Sequence, residues 1–282
     1  MLLKDIRILK LRFKCRCLGD VIFHFRNKSD IFRGAFGNIA NKVSEKSGSS
    51  LYKNIFKPEP LTFGPAGMRE RPRPFVIIPP DDNRSSYKKD DLFELGINVF
   101  GSYCEMAACF VDIVNQMGDY GIGSNLAKFS VVKVYDGKPL SYSEITGTKI
   151  LIDFVTPTLI KENGRILKEI TFPAVFKRLR DRLNAISLFY EGEALNYDNF
   201  GLGKLSESVG TLSSKWESHY FSRTASSGEK QSIGGITGFG VYDFSSSEKI
   251  NIFLPWLFAG TSVNVGKNTL WGNGRFILNG MR

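Results

Sequence analysis

Imidazole is the one side chain that titrates near neutrality without help, and this 282-residue chain carries two, His24 and His219. His24 stands in a polar stretch with Arg26, Asn27 and Lys28, and Arg33 follows in a helical pattern. His219 has Tyr220 and Arg223 beside it in a serine-rich stretch. Either histidine could move a proton; either could equally be an ordinary surface or strand-end residue. A third stretch, Asn264 to Phe276, offers different chemistry. Gly266, Gly272 and Gly274 permit positive φ and close backbone approach. Lys267 and Arg275 put charge beside main-chain N–H groups, with Asn268 between them, and that combination suits an anionic phosphate. The plain alternative is a glycine-rich hairpin between a helix and an edge strand.

The charge balance favours an anionic partner. The chain is net +10, with a pI near 9.4, and residues 1–46 hold 11 Lys/Arg against 4 Asp/Glu. Nucleic acid is the leading candidate for such a balance. No apolar run approaches the roughly 18 residues of a membrane span, and charges at Lys4, Asp5 and Arg7 come too early for a signal peptide. A cytoplasmic protein with no membrane partner is expected. Cys15, Cys17, Cys104 and Cys109 follow no zinc spacing and are expected as buried free thiols in a reducing compartment. No metal site and no cofactor are expected.

The elements that must hold these groups can be read in order. Residues 10–17 alternate strictly, so one strand face carries Lys10, Arg12, Lys14 and Arg16 and the other Leu11, Phe13, Cys15 and Cys17. Like charges in a row repel, and a phosphate backbone is a sensible counterpart. Ile6 and Ile8 fall on the basic face, which predicts a bulge or twist near Leu9. Residues 30–43 have the spacing of a core-facing helix, with Ser29 or Asp30 as N-cap. Its internal Gly34 and Gly37 require something packed closely against them. A long loop over 44–72, broken by a short helix at 51–56, leads to strands at 74–79 and 91–100. A helix marked by Tyr103, Met106, Phe110, Ile113 and Met117 runs into the glycine turn 118–128 and a strand at 129–135.

That β-α-β-β-α-β order predicts a ferredoxin-like domain. Helix, glycine turn with a lysine, and apolar strand recur at the end of the chain, which argues for two related halves. The fold class is therefore α+β, two tandem ferredoxin-like (RRM-like) domains over 1–140 and 146–282. In the second half a strand is expected at 149–156. A helix follows Pro173, with Lys177, Arg178, Arg180 and Arg182 on its exterior. Residues 206–232 are weakly patterned, 233–244 read as a strand, and Ser245 to Glu248 has capping-box spacing for a last helix kinked at Pro255.

Five stretches occur in an order that resembles the CRISPR precursor-RNA processing endoribonuclease family of the RAMP superfamily. They are Phe32-Arg-Gly-Ala-Phe-Gly37, Pro74-Phe-Val-Ile77, Phe154-Val-Thr-Pro-Thr-Leu-Ile160, the run from Trp216 through Ser222-Arg223 to Gln231-Ser-Ile-Gly-Gly-Ile-Thr-Gly238, and Val265 to Phe276. The resemblance spans nearly the whole chain. Relatives commonly have histidine where Asn264 stands, Arg-Tyr-Ser where Tyr220-Phe221-Ser222 stands, and Phe-Gly-x-Gly where Trp271-Gly-Asn-Gly274 stands.

The resemblance implies two ferredoxin-like domains and metal-independent cleavage within the CRISPR repeat, giving a 2′,3′-cyclic phosphate and a 5′-hydroxyl. Such cleavage needs a base, an acid and a cation for the phosphorane. Family members often place a catalytic histidine where His24 stands, so it is the expected base or acid, with Lys28 or Arg33 steadying the phosphorane. Expected RNA contacts are Lys10, Arg12, Lys14, Arg26, His219, Arg223, Gly266, Lys267, Asn268, Gly272, Gly274 and Arg275. Expected partners are CRISPR repeat RNA and a CRISPR effector complex, and relatives commonly form homodimers. A second reading is a member that binds the repeat-derived handle without cutting it. A generic RRM-like binder is disfavoured, because the alternating strands lack the aromatic RNP pattern.

Overall fold

The computed structural model describes residues 2–281 other than 24–27, 63, 83, 138–144, 146 and 225–229; at 221–224, 230–233, 247 and 281 it describes the backbone alone. The first half contains β1 (Ile8–Cys17), β2 (Val21–Ile22), α1 (Lys28–Ser47), α2 (Leu51–Phe56), β3 (Phe75–Ile78), β4 (Ser86–Tyr87), β5 (Leu92–Phe100), α3 (Ala107–Tyr120) and β6 (Phe129–Asp136). The second contains β7 (Lys149–Thr158), β8 (Lys161–Glu162), β9 (Arg165–Ile166), α4 (Phe172–Tyr190), α5 (Asn199–Glu207), β10 (Gly210–Thr224), β11 (Lys230–Asp243), α6 (Ser247–Val263) and β12 (Phe276–Met281). The main sheets run β3-β5-β1-β6 and β10-β11-β7-β12, antiparallel throughout. If each sheet's strands are numbered one to four along the chain, both read 2-3-1-4. That is the order of the expected ferredoxin-like fold, formed twice.

Alternation decides which face each sheet buries. Leu11, Phe13, Cys15 and Cys17 of β1 lie under Phe32, Phe36 and Ile39 of α1 and Phe110, Ile113 and Met117 of α3. In the second half Ile150, Ile152 and Phe154 of β7 meet Phe176, Leu179 and Leu183 of α4 and Phe253 and Leu257 of α6. Each core also takes residues from the other half: Ile6, Val76 and Phe100 join the second, and Leu270 joins the first. Gly37 has the expected close neighbour, since a Cβ there would stand 3.3 Å from the Phe56 ring, but Gly34 does not: nothing lies within 4 Å of where its Cβ would be. No helix among the described residues is long and apolar enough to cross a membrane.

Several expectations need correction. The β1–β5 ladder runs unbroken from Ile8↔Phe100 to Arg16↔Leu92, so there is no bulge at Leu9; the register shifts instead between Lys14 and Cys15, towards β6. Ile6 and Ile8 keep to the basic face because the second half's core covers that end of it. The weakly patterned stretch after Ser206 is largely strand. Residues 211–220 of β10 are exposed apart from half-buried Trp216, so no buried face writes a period into the sequence. Helix α1 begins at Lys28, which puts Ser29 and Asp30 inside it rather than at its cap. The cap of α6 is Ser246, accepting from the Lys249 amide at 3.2 Å, one residue later than expected. Arg182 is buried, its Nε donating to the Val263 carbonyl at 2.8 Å, so it is not part of an exterior. Of the free thiols only Cys15 and Cys17 are buried, and burial pushes them up to about 12 and about 11; Cys109 is exposed.

Candidate nucleic-acid interface

The outward residues of β1 line one wall of a cleft of about 710 Å3, and Arg275, Phe276 and Ile277 at the start of β12 close it from the second half. Lys10, Arg12 and Lys14 lie along that wall. Arg12 is held: its Nη1 donates to the Leu11 carbonyl and to Asn98 Oδ1, both at 2.9 Å. Gly96 and Gly137 make the space, because a Cβ at either would come within 3.0 or 3.1 Å of the guanidinium. Asn98 is itself fixed through Nδ2, which donates to the Ser262 carbonyl at 2.7 Å, across to the end of α6. Burial, and then Arg12, pushes the Lys10 ammonium below the usual lysine range. Burial also lowers Arg12, with Glu94 opposing and Arg275 adding to the effect. Cations held close together in a partly desolvated cleft make a field that an anion relieves.

The glycine-rich loop after α6 does something the sequence did not suggest. Its amides are turned inward. Lys267 N–H donates to Leu159, Gly272 to Thr269, Gly274 to Pro157 and Arg275 to Thr156 Oγ1, at 2.8–3.1 Å. Those four N–H groups are therefore not offered to a phosphate. Positive φ at Gly266, Gly272 and Gly274 bends the loop flat against its surroundings. A Cβ on Gly272 would meet the Ile77 carbonyl of β3 at 2.7 Å and Pro79 at 2.9 Å. Leu270 enters the first-half core, and the Arg33 guanidinium of α1 sits 4.9 Å from the Trp271 ring centroid. Such cation–π contacts contribute about 0.5–2 kcal/mol. The loop is thus a strap that carries the second half onto the start of α1.

Lys28 lies beneath that junction. Its side chain is 3% exposed, and its ammonium donates to the Asp82 carboxylate, to the Asp82 carbonyl at 2.8 Å and to the Tyr87 hydroxyl at 2.9 Å. Burial would raise the Asp82 carboxyl, but the bonds from Lys28 and Tyr87 hold it below the usual range. Asp82 and its neighbour Asp81 also line the cleft, and Asp81 pairs with Arg275 at 2.6 Å.

The structure therefore brings Lys10, Arg12, Lys14 and Arg275 together, and sets Arg33 against the glycine loop. Lys28 is inside the fold rather than at the cleft wall. Lys267 is exposed on the loop and Asn268 takes a left-handed conformation there. His219 stands apart on β10, its Nε2 2.7 Å from Thr237 Oγ1. Arg223 pairs with Gln231 in the β10–β11 ladder. His24 and Arg26 lie outside the described residues. The first glycine turn does not reach the cleft; Asn125 donates to the Asp20 carbonyl at 2.6 Å and the turn closes the far end of β1. Sequence reasoning missed Asp81, Asp82, Tyr87, Glu94 and Tyr135. The Asp81-Asp82 pair directly after Pro79-Pro80 was the signal available, since consecutive prolines stiffen the backbone that delivers the next residues. Among the described residues no group of three His, Cys, Asp or Glu is arranged to hold a metal ion.

Two ferredoxin-like domains set side by side with a basic cleft between them define a RAMP-type fold. Residues 152–276 match the family model of the CRISPR-associated endoribonuclease Cas6, and residues 6–152 match one described simply as an N-terminal domain. The second half of the chain therefore carries a Cas6 endoribonuclease domain. Its fold is similar to that of Cas6 (TTHB231) from Thermus thermophilus in a product complex, with TM-score 0.64 at 15% identity over 96% of this chain and 100% of that one. It is similar to Cas6 (TTHA0078) in a product complex, with TM-score 0.55 at 15% identity over 98% and 100% of the two chains. A chain of a partial Cas6-RT-Cas1–Cas2 complex also matches, with TM-score 0.61 at 14% identity over 96% of this chain and 46% of that one. No curated protein matches the sequence.

Proposed function

We propose that this endoribonuclease cuts CRISPR precursor RNA within the repeat, without a metal ion, by attack of the 2′-hydroxyl on the adjacent phosphorus. The 2′-oxygen forms the new bond to phosphorus as a base takes its proton. The bond to the 5′-oxygen breaks as that oxygen receives a proton, leaving a 2′,3′-cyclic phosphate and a 5′-hydroxyl. The observation that carries the reading is the convergence of Lys10, Arg12, Lys14 and Arg275 on one cleft beside the junction of α1 and the glycine loop. Cas6 proteins of the same fold have been seen in product complexes, and a RAMP protein of similar fold binds RNA substrates, which supports RNA as the occupant.

His24 is the proposed base or acid, on its place in the sequence between β1 and α1. Arg33 is the cation at the junction for the phosphorane. Lys28 acts through position, anchoring the start of α1 to Asp82 and Tyr87. Repeat RNA incubated with protein and chelator tests this. Cleavage should persist in chelator, stop with a 2′-deoxy at the scissile nucleotide, and be lost in His24→Ala while binding remains. Normal cutting by His24→Ala would remove His24 from the reaction.

A non-cleaving subunit that holds the repeat-derived handle is the second reading. Asn264 favours it: where relatives commonly carry histidine, this buried amide donates to the Asn273 carbonyl at 3.1 Å and supplies no titratable group. Tight binding of repeat RNA with no cleavage would select that reading.

A further inference from the structure

A carboxylate on the wall of a cleft made for phosphates works against their binding unless it has another task. Glu94 is such a group. It projects from β5 into the cleft, directly across from Lys14 on β1. Opposite charges on facing strands commonly pair, but among the described residues Glu94 makes no ion pair with Lys14 or any other cation. It reaches instead over β1 to the Tyr135 hydroxyl of β6, which donates to its Oε2. Tyr135 lines the same cleft and is itself opposite Arg12. The hydroxyl fixes the carboxylate, and Oε1 and the remaining lone pair of Oε2 are left as acceptors. The cleft wall thus offers cations for a backbone and one braced, acceptor-only group.

In unpaired RNA the donors such an acceptor meets are the 2′-hydroxyls, alike on every nucleotide, and the N–H groups of the base edges, which differ. Uracil presents a single N–H between two carbonyls. Adenine and cytosine each present one amino group beside a ring acceptor. Guanine alone presents two adjacent donors, N1–H and N2–H, that match the two oxygens of a carboxylate. We propose that Glu94, held by Tyr135, is a specificity-determining residue that reads the Watson–Crick edge of a guanine in an unpaired segment of the bound RNA. The assignment rests on RNA being the occupant of the cleft, and it adds the base that the cleft prefers. A cleft of 710 Å3 is ample for one nucleoside beside a backbone held by Lys10, Arg12 and Lys14.

Fluorescence anisotropy with five uridine-rich heptamers tests it, the central base being guanine, inosine, adenine, cytosine or uracil. Guanine should bind about tenfold tighter than adenine, the discrimination expected of one bidentate base contact. Inosine keeps N1–H but lacks the amino group, and should fall between them. Glu94→Gln should bring guanine down to the level of the others and leave the salt dependence unchanged, because no phosphate contact is touched. Tyr135→Phe, which frees the carboxylate without removing it, should lose part of the preference. Glu94 is exposed, and unchanged thermal melting of both variants would show that the fold is intact. Equal affinity for all five RNAs, or a Glu94→Gln effect identical across them, overturns the guanine site alone. Absence of salt-sensitive binding to any RNA overturns the RNA reading together with it.

Discussion

The two halves share one strand order, yet their first strands look outward on different chemistry. Along β1 the outward side chains are Lys10, Arg12, Lys14 and Arg16; along β7 they are Leu151, Asp153 and Val155. Burial, and then nearby Asp81, pushes the Asp153 carboxyl up, and none of these three side chains offers a cation to a phosphate. The loops between the second helix and last strand differ as well. In the first half, Gly121 to Lys128 folds back on its own domain through an Ile122↔Ala127 bridge. In the second, Asn264 to Arg275 crosses over and inserts Leu270 into its neighbour. The repeated fold is a scaffold, then. Function depends on which side chains alternate outward on the central strand and which loop is long and apolar enough to reach across.

The strap is the place to break this contrast hardest. Gly274 has φ 73°, and a Cβ there would stand 1.8 Å from the Val265 carbonyl. Gly274→Ala should lose about 3 kcal/mol or more in urea denaturation, since backbone strain and a clash act together. Gly164→Ala, at similar φ with nothing within 4 Å, should lose only about 1 kcal/mol. Equal losses would show that the strap is no more constrained than a surface turn.

Next comes the anchor under α1. Lys28→Met leaves Asp82 without its cation and should cost about 2 kcal/mol. The sign of its pH dependence comes from the lowered Asp82 carboxyl. Below the ordinary aspartate range near 4 the unfolded chain takes up a proton that the folded one resists. The stabilisation is therefore full above that range and is lost as pH falls through the lowered value. In Lys28→Met the acid limb of a stability profile should be shallower than in the wild type.

The two outward faces can then be compared directly. Arg12→Gln with Lys14→Gln should weaken RNA binding about tenfold and flatten its salt dependence by one to two counterions. Leu151→Gln on β7 should change neither. Smallest is the effect of freeing Arg275: Asp81→Asn removes an exposed partner, worth about 1 kcal/mol at most, and should tighten RNA binding by up to about fivefold.

Legibility in the sequence obeyed the same physics. The period-two pattern of 10–17 was legible because that strand has one buried and one exposed face. The strand order was legible because α1, α3, α4 and α6 each carry a stripe for a sheet to cover. By contrast β10 was not, because Ser213, Ser214, Glu217 and Ser218 are all exposed and nothing distinguishes one face from the other. At the site, the basic residues of β1 and the glycine loop were visible locally. The fate of Lys28 was not, since it depends on Asp82, 54 residues away. Neither was the inward turn of the loop's amides, which depends on where Leu159, Pro157 and Thr156 come to lie.

Pairing of β10 with β11 continues to Thr224↔Lys230, although β7 accompanies β11 no further than Ile236. Past that point no described side chain of the hairpin belongs to either hydrophobic interior, so the described core sets no length for it. Matched residues could be gained or lost from its two arms in pairs without disturbing the domain that carries it. In such a lineage the overhang would be the dimension along which reach is tuned while the body of the enzyme stays the same.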